Sequence, residues 1–178
     1  MARSTAKKVT AGDLFPLLEN PDAQPLSIRR LTVEEALEAS TPFDSLIRLW
    51  MDKRAGESPP EWDDFDFADF RGWHSRLAIS VFPDDTADPE IRLTGEGWAD
   101  LGGPPIAGVR LGSLVPRLFE RQLRVHFQAI RDTGNIGLVS GTPVTVGREF
   151  VRMRIIELPV ARNGKAVGGM IHGLKIQS

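Results

Sequence analysis

The sequence predicts one α+β domain, a five-stranded antiparallel sheet with helices on one face and a helical extension at the N-terminus. Three observations point that way. Leu77, Ile79 and Val81 alternate with Ala78 and Ser80, the two-residue period of a half-buried strand, and similar runs recur towards the end of the chain. A two-sided helical pattern fills Arg117 to Thr133, after a pair of strands and before three more. Tight-turn signals such as Asn163-Gly164 join neighbouring strands as hairpins, and hairpins make a sheet antiparallel.

At 178 residues and 41% apolar composition the chain can fill one core. It has no cysteine, which excludes disulfides, thiolate metal sites and cysteine nucleophiles. The basic start, MARSTAKKVT, is followed by no apolar stretch, and no run of about 18 apolar residues occurs. A cytoplasmic protein without a membrane span is therefore expected. Net charge is −2, unevenly spread: residues 1–56 sum to 0, residues 57–100 to −9 and residues 101–178 to +7. Either the fold interleaves these segments so that they neutralise each other, or it presents a bipolar surface to a partner.

Residues 1–40 read as a tail with short helices, and 41–178 as the domain. Thr32 and Glu35 have capping-box spacing for a helix over Val33 to Ala39. Thr41 as cap, Pro42 in the first turn and Gly56 as stop frame the next helix, with Phe43, Leu46, Ile47, Leu49 and Trp50 on one face. The Pro59-Pro60 pair forbids further helix, and Asp63, Asp64 and Asp66 offer caps for a short one over Phe67 to Trp73. Strands are expected at 77–81 and 91–94 around an acidic turn, then loops to Leu114, the long helix, and strands at about 136–146, 149–160 and 166–176.

The segment from Trp50 to Pro60, WMDKRAGESPP, leads into Asp64-Phe65-Asp66-Phe67 and resembles the lead-in of bacterial single PAS domains of the PAS_5 type. Arg92-Leu93-Thr94-Gly95 and Ala107-Gly108-Val109-Arg110-Leu111 are similar to that group as well, and so is the order of elements. The resemblance spans Leu46 to Ile176, while residues 1–40 have no counterpart in it. It implies a sensory or protein-interaction module that encloses a small, apolar ligand pocket, often pairs as a homodimer, and signals by docking onto a partner protein.

On the long helix, Leu118, Phe119, Gln122, Leu123, Val125, His126, Ala129 and Ile130 fall on one arc with His126 near its middle. His126 is either a hydrogen-bonded core histidine or a pocket contact, and the resemblance adds a haem axial ligand as a third role. His172 is in step with Met170, Leu174 and Ile176, so it points at the pocket if that face of the last strand is the buried one. The pocket candidates are thus Phe119, Leu123, His126, Ile130, Met170 and His172. A flavin is disfavoured, because the cysteine and the asparagine-rich surroundings of a flavin photosensor are absent. A metal site built from His74, His126 and His172 lacks paired spacing.

Arg117, Arg121, Arg124 and Arg131 form a stripe on the far side of the helix, either solvated or facing an anionic partner. Arg148, Arg152 and Arg154 add to that positive half. Nucleic acid is disfavoured, since the pI is near 5.9 and no aromatics interleave the arginines. Trp50 is the expected anchor of a dimer formed through its helix. No catalytic motif is visible, and Gly95-Glu96-Gly97 and Gly102-Gly103 are too sparse for a dinucleotide site. The alternative to a binding module is a small hydrolase or isomerase that uses a buried histidine and an acid, His126 with Asp100 or Glu157.

Overall fold

The computed structural model describes residues 26–39, 41–83, 86–101, 106–115, 117–143 and 151–177. Its strands are β1 (Ser27–Leu31), β2 (Leu77–Val81), β3 (Glu90–Thr94), β4 (Ile136–Gly141), β5 (Arg152–Arg162) and β6 (Lys165–Gln177). They form one open antiparallel sheet of six strands in the order β1-β4-β5-β6-β2-β3. Three α-helices accompany it, α1 (Val33–Ala39), α2 (Asp44–Asp52) and α3 (Arg117–Thr133). The tail before Leu26, the Gly102-Gly103 pair and Arg148 lie outside the described residues.

The long β5–β6 hairpin is the centre of the sheet. Its turn, Asn163-Gly164, takes φ of 52° and 75°, the left-handed pair that matches strand twist in a two-residue hairpin. Thr32 and Glu35 close the capping box at α1: Thr32 N–H donates to Glu35 Oε2 at 2.8 Å and Glu35 N–H donates to Thr32 Oγ1 at 3.3 Å.

Two expectations about architecture are corrected. The sheet has a sixth strand, because Ser27–Leu31 pairs with β4 along its free edge. This short run sits among residues read as tail, and its charged, irregular pattern (Arg29, Arg30) hides a strand period. Helices also cover both faces rather than one. On one face Leu77, Ile79, Ile136, Leu138, Ile156, Leu158 and Ile171 form a cluster with Leu46, Ile47 and Trp50 of α2 and with Phe70 and Trp73. On the other, Met170 packs with Leu123, Phe127 and Ile130 of α3, while Val139, Met153 and Leu174 pack with Leu26. A strand covered on both sides is buried at successive residues instead of alternately, as Ile156 to Ala161 and Val167 to Leu174 are.

The second helix also starts later than expected. A 3-10 turn over Thr41–Phe43 leads into α2 at Asp44, and the helix ends at Asp52 with Lys53 as its C-cap. Gly56 (φ 76°) serves the following turn instead of the helix stop. Three further 3-10 turns, Trp62–Asp64, Phe67–Phe70 and His74–Arg76, complete this layer, and Lys53 Nζ ties it to α2 through Asp69 at 2.9 Å.

Trp50 is not available as a dimer anchor. It is 1% exposed, and its indole N–H donates to the Pro159 carbonyl at 2.7 Å. The acceptor is free for a reason of register. Pro159 lies beyond the last β4–β5 pair, Gly137 with Glu157, so that side of β5 has no strand neighbour and a proline costs no ladder bond. The indole and the Pro60 carbonyl, which accepts from Ala161 N–H at 2.8 Å, fill the gap. The apolar face of α2 is covered by the protein's own sheet.

Trp50→Ala should therefore cost about 3–5 kcal/mol, the range for deleting a large buried aromatic. Urea unfolding would show it as a lower midpoint with an unchanged slope, and sedimentation should not change. An unaltered midpoint would contradict the burial.

Candidate functional site

The interior between α3 and the sheet is apolar except at one point. Glu157, His126, His172 and Ser80 are each at most 3% exposed and lie together there. Three strands and one helix supply them. Glu157 comes from the middle of β5, His172 sits opposite it on β6, and Ser80 is on β2, which pairs with β6 on its other side. The β2–β3 register slips between Ile79 and Ser80, a bulge of the kind that re-aims a side chain.

The carboxylate lies between two imidazoles. His126 Nε2 is 2.5 Å from Glu157 Oε2, and His172 Nδ1 is 3.9 Å from Glu157 Oε1. On its far side His172 Nε2 is 2.7 Å from Ser80 Oγ. A proton on His172 Nδ1 faces the carboxylate and leaves Nε2 to accept from the serine hydroxyl. Room for the carboxylate comes from Gly137, its partner on β4. A Cβ there would collide with Glu157 Oε2 and come within 2.9 Å of both His126 Nε2 and Ile130 Cδ1. Trp98 closes the site edge-on to His172, with ring centroids 6.4 Å apart. Two buried nitrogens, His126 Nδ1 and Trp98 Nε1, have no hydrogen-bond partner among the described residues.

Burial pushes the His172 pKa down; the nearby Glu157 opposes this and His126 adds to it. His172 is thus neutral in the fold, whereas in the unfolded chain it takes up a proton near its ordinary value of about 6.5. A depressed folded value means that its contribution to stability is present above that pH and is lost as pH falls below it.

Of the pocket candidates, Phe119, Leu123, His126 and Ile130 are buried on α3, and Met170 and His172 face the same side of the sheet. The buried arc of α3 is rotated from the expected one. Phe127 is 2% exposed and Val125 is 58% exposed. Val125 and Gln122 instead border a shallow cleft of about 480 Å³ between α3 and β1, with Arg30, Arg121, Ile28 and the edge of His126. Of the two acids considered beside His126, Glu157 is the one that packing brings to it, from 31 residues away. Asp100, the other acid considered, is exposed.

The arginine stripe is split among local partners. Arg124 is exposed and pairs with Glu120 at 2.5 Å, and Arg131 donates to the Thr86 carbonyl at 3.0 Å with its guanidinium over Phe82. Arg121 lies on the cleft beside β1, and the Arg117 side chain is outside the described residues. His74 is on the other side of the molecule, stacked on Phe67 at 4.0 Å and bonded to its carbonyl, so the three histidines do not converge. Among the described residues no group of three or more metal-ligating side chains occurs, and no helix is long and apolar enough to cross a membrane. His126 does not fit the role of haem ligand, because its Nε2 is committed to Glu157 and the surrounding interior is filled by Leu123, Phe127 and Ile130.

Ser80, Gly137 and Trp98 were not among the sequence candidates. A serine inside an apolar strand and a glycine opposite a lone glutamate are weak signals by themselves, and only strand register makes them neighbours.

Two outcomes follow. Unfolding free energy should decline as pH drops from neutral to below about 6, by no more than roughly 1.4 kcal/mol per pH unit from one group, and His172→Gln should flatten that slope. Gly137→Ala should destabilise the fold by about 1–3 kcal/mol, because its methyl displaces the buried carboxylate from His126. Titrated chemical denaturation measures both.

Compared with known protein families, curated proteins and solved structures, the chain matches none.

Proposed function

We propose that this chain is a PAS-like sensory and protein-interaction module in which the buried His126–Glu157–His172–Ser80 cluster is the sensing site. The order of strand, strand, long helix and three strands, with β6 pairing back onto β2, supports the PAS-like reading. One observation carries the site. A carboxylate sits between two histidines in the interior, beside two ring nitrogens that lack partners among the described residues. An unsatisfied buried polar group costs about 1–3 kcal/mol, which a small ligand with one polar end and an apolar body would recover. The shallow cleft at Arg30 and Arg121, which His126 also borders, gives an approach from the surface. Ligand entry shifts α3 against the sheet, and a partner protein that binds only one of the two states reads the shift.

A second reading is favoured by the order Ser80, His172, Glu157, which has the sequence of roles of nucleophile, base and orienting acid. Against it, Ser80 is 1% exposed and the His172–Glu157 separation of 3.9 Å is too long for a hydrogen bond. An alkyl fluorophosphonate should leave Ser80 unlabelled under native conditions. Stoichiometric labelling that disappears in Ser80→Ala would favour the enzyme.

Native mass spectrometry of freshly purified protein tests the sensor. A small-molecule adduct is expected in the wild type and should be lost from Glu157→Gln, which keeps the side-chain shape. Absence of any adduct, or its retention in that variant, would overturn the site. His126→Leu alone is unsuitable, because it strands Glu157 at a cost of about 3–5 kcal/mol. The double variant His126→Leu with Glu157→Leu should be more stable than either single one.

A further inference from the structure

A half-open cleft lies on the opposite side of the sheet from this cluster, and nothing in the sensor reading uses it. We propose that it binds a small, flat organic anion, an aromatic carboxylate or sulfonate. The cleft has a volume of about 660 Å³, within the range of roughly 300–1,000 Å³ for small-molecule sites. Leu77, Ile79 and Val81 of β2, with Leu93 of β3, give it an apolar floor. Its wall is aromatic, from Trp62, Phe65 and Phe70, with neighbouring ring centroids 6.2 and 5.6 Å apart.

The shape of the wall selects a flat ligand. Phe67 is 73% exposed, yet its ring is held nearly parallel to His74, at 4.0 Å and 10°. Leaving a large aromatic so exposed stabilises nothing by burial, while the histidine beneath fixes its orientation. It is a stacking surface without a partner.

The rim selects the charge. Arg92, Arg162 and Lys165 border the cleft, and no carboxylate is among the described residues that line it. Arg92 shares its charge with Glu90 at 3.2 Å, in a pair that is largely exposed on the arginine side. Arg162 forms no ion pair among the described residues, so an anion seated on the aromatics meets an uncompensated guanidinium. A peptide strand fits less well. On β3 the Ile91 N–H already donates to Val109 and its carbonyl accepts from Gly108 N–H, so that edge is partly closed to strand addition.

The probe is anilinonaphthalene sulfonate, whose fluorescence rises in apolar sites, compared with the uncharged phenylnaphthylamine. Saturable one-to-one binding of the sulfonate is expected, with weaker binding of the neutral compound and loss of affinity as salt rises. Arg162→Gln should weaken the sulfonate about tenfold and leave the neutral probe unchanged. Phe67→Ala should weaken both. Neither residue is buried, so both variants should keep the wild-type circular dichroism. Glu157→Gln should bind the sulfonate like the wild type, which separates this cleft from the interior cluster. Equal affinity for the two probes, or sulfonate binding that survives both substitutions or is lost in Glu157→Gln, overturns the proposal.

Discussion

The hydrogen bond between His126 and Glu157 is the constraint on which the rest of the interior is arranged. A carboxylate in the middle of a sheet covered on both faces has lost its water, and such a group persists only when partners replace the hydration. Here a helix supplies the partner. Because His126 must reach Oε2 at 2.5 Å, α3 is held to one rotation and one height over β4 and β5. Gly137 then follows as the residue that leaves room, and His172 and Ser80 extend the polar path across β6 to β2. The helix lies against the sheet in a discrete registration, because a partial slide would leave the buried carboxyl group without its partner.

That arrangement connects packing to function. Apolar surfaces alone tolerate small shifts, whereas a buried polar network tolerates few, so its alternatives are discrete. His126 Nδ1 and Trp98 Nε1, without partners among the described residues, mark where the network is incomplete there. A site that is nearly satisfied, beside a long helix with an exposed outer side, has the physical makings of a switch. A tightly completed network would only be a staple. The opposite face has another character. Its 3-10 turns and aromatic rings cover the sheet incompletely and leave a half-open cleft rimmed by cations. The sheet thus separates a closed polar site from an open aromatic one, with little chemistry in common.

The behaviour of α2 shows how the two faces share the work of folding. Its apolar side lies on the sheet, and Trp50 bonds to β5 at the point where β4 stops. A surface that suggested a second subunit is instead the second half of the core. This follows from the sheet having two apolar faces, each of which needs a cover.

Elements whose signals are local are legible in the chain without the fold. The capping box at Thr32, the Asn163-Gly164 hairpin, the α3 boundaries and the β2 strand are written within a few residues of each other, and the structure has them there, although β2 is buried on both faces instead of half-buried. The sequence also placed His126 on the inner side of α3 and His172 in step with Met170, since both follow from helical and strand periods. Contacts across a gap are set by packing and are not written locally. The sixth strand depends on pairing between Leu31 and Ile136, and the burial of Trp50 on the Pro159 carbonyl. The meeting of Glu157 with His126 depends on how α3 settles over β5. Periodicity tells which side of an element is apolar but not which surface covers it, because covering is decided by the whole sheet and by the cost of leaving a charge alone.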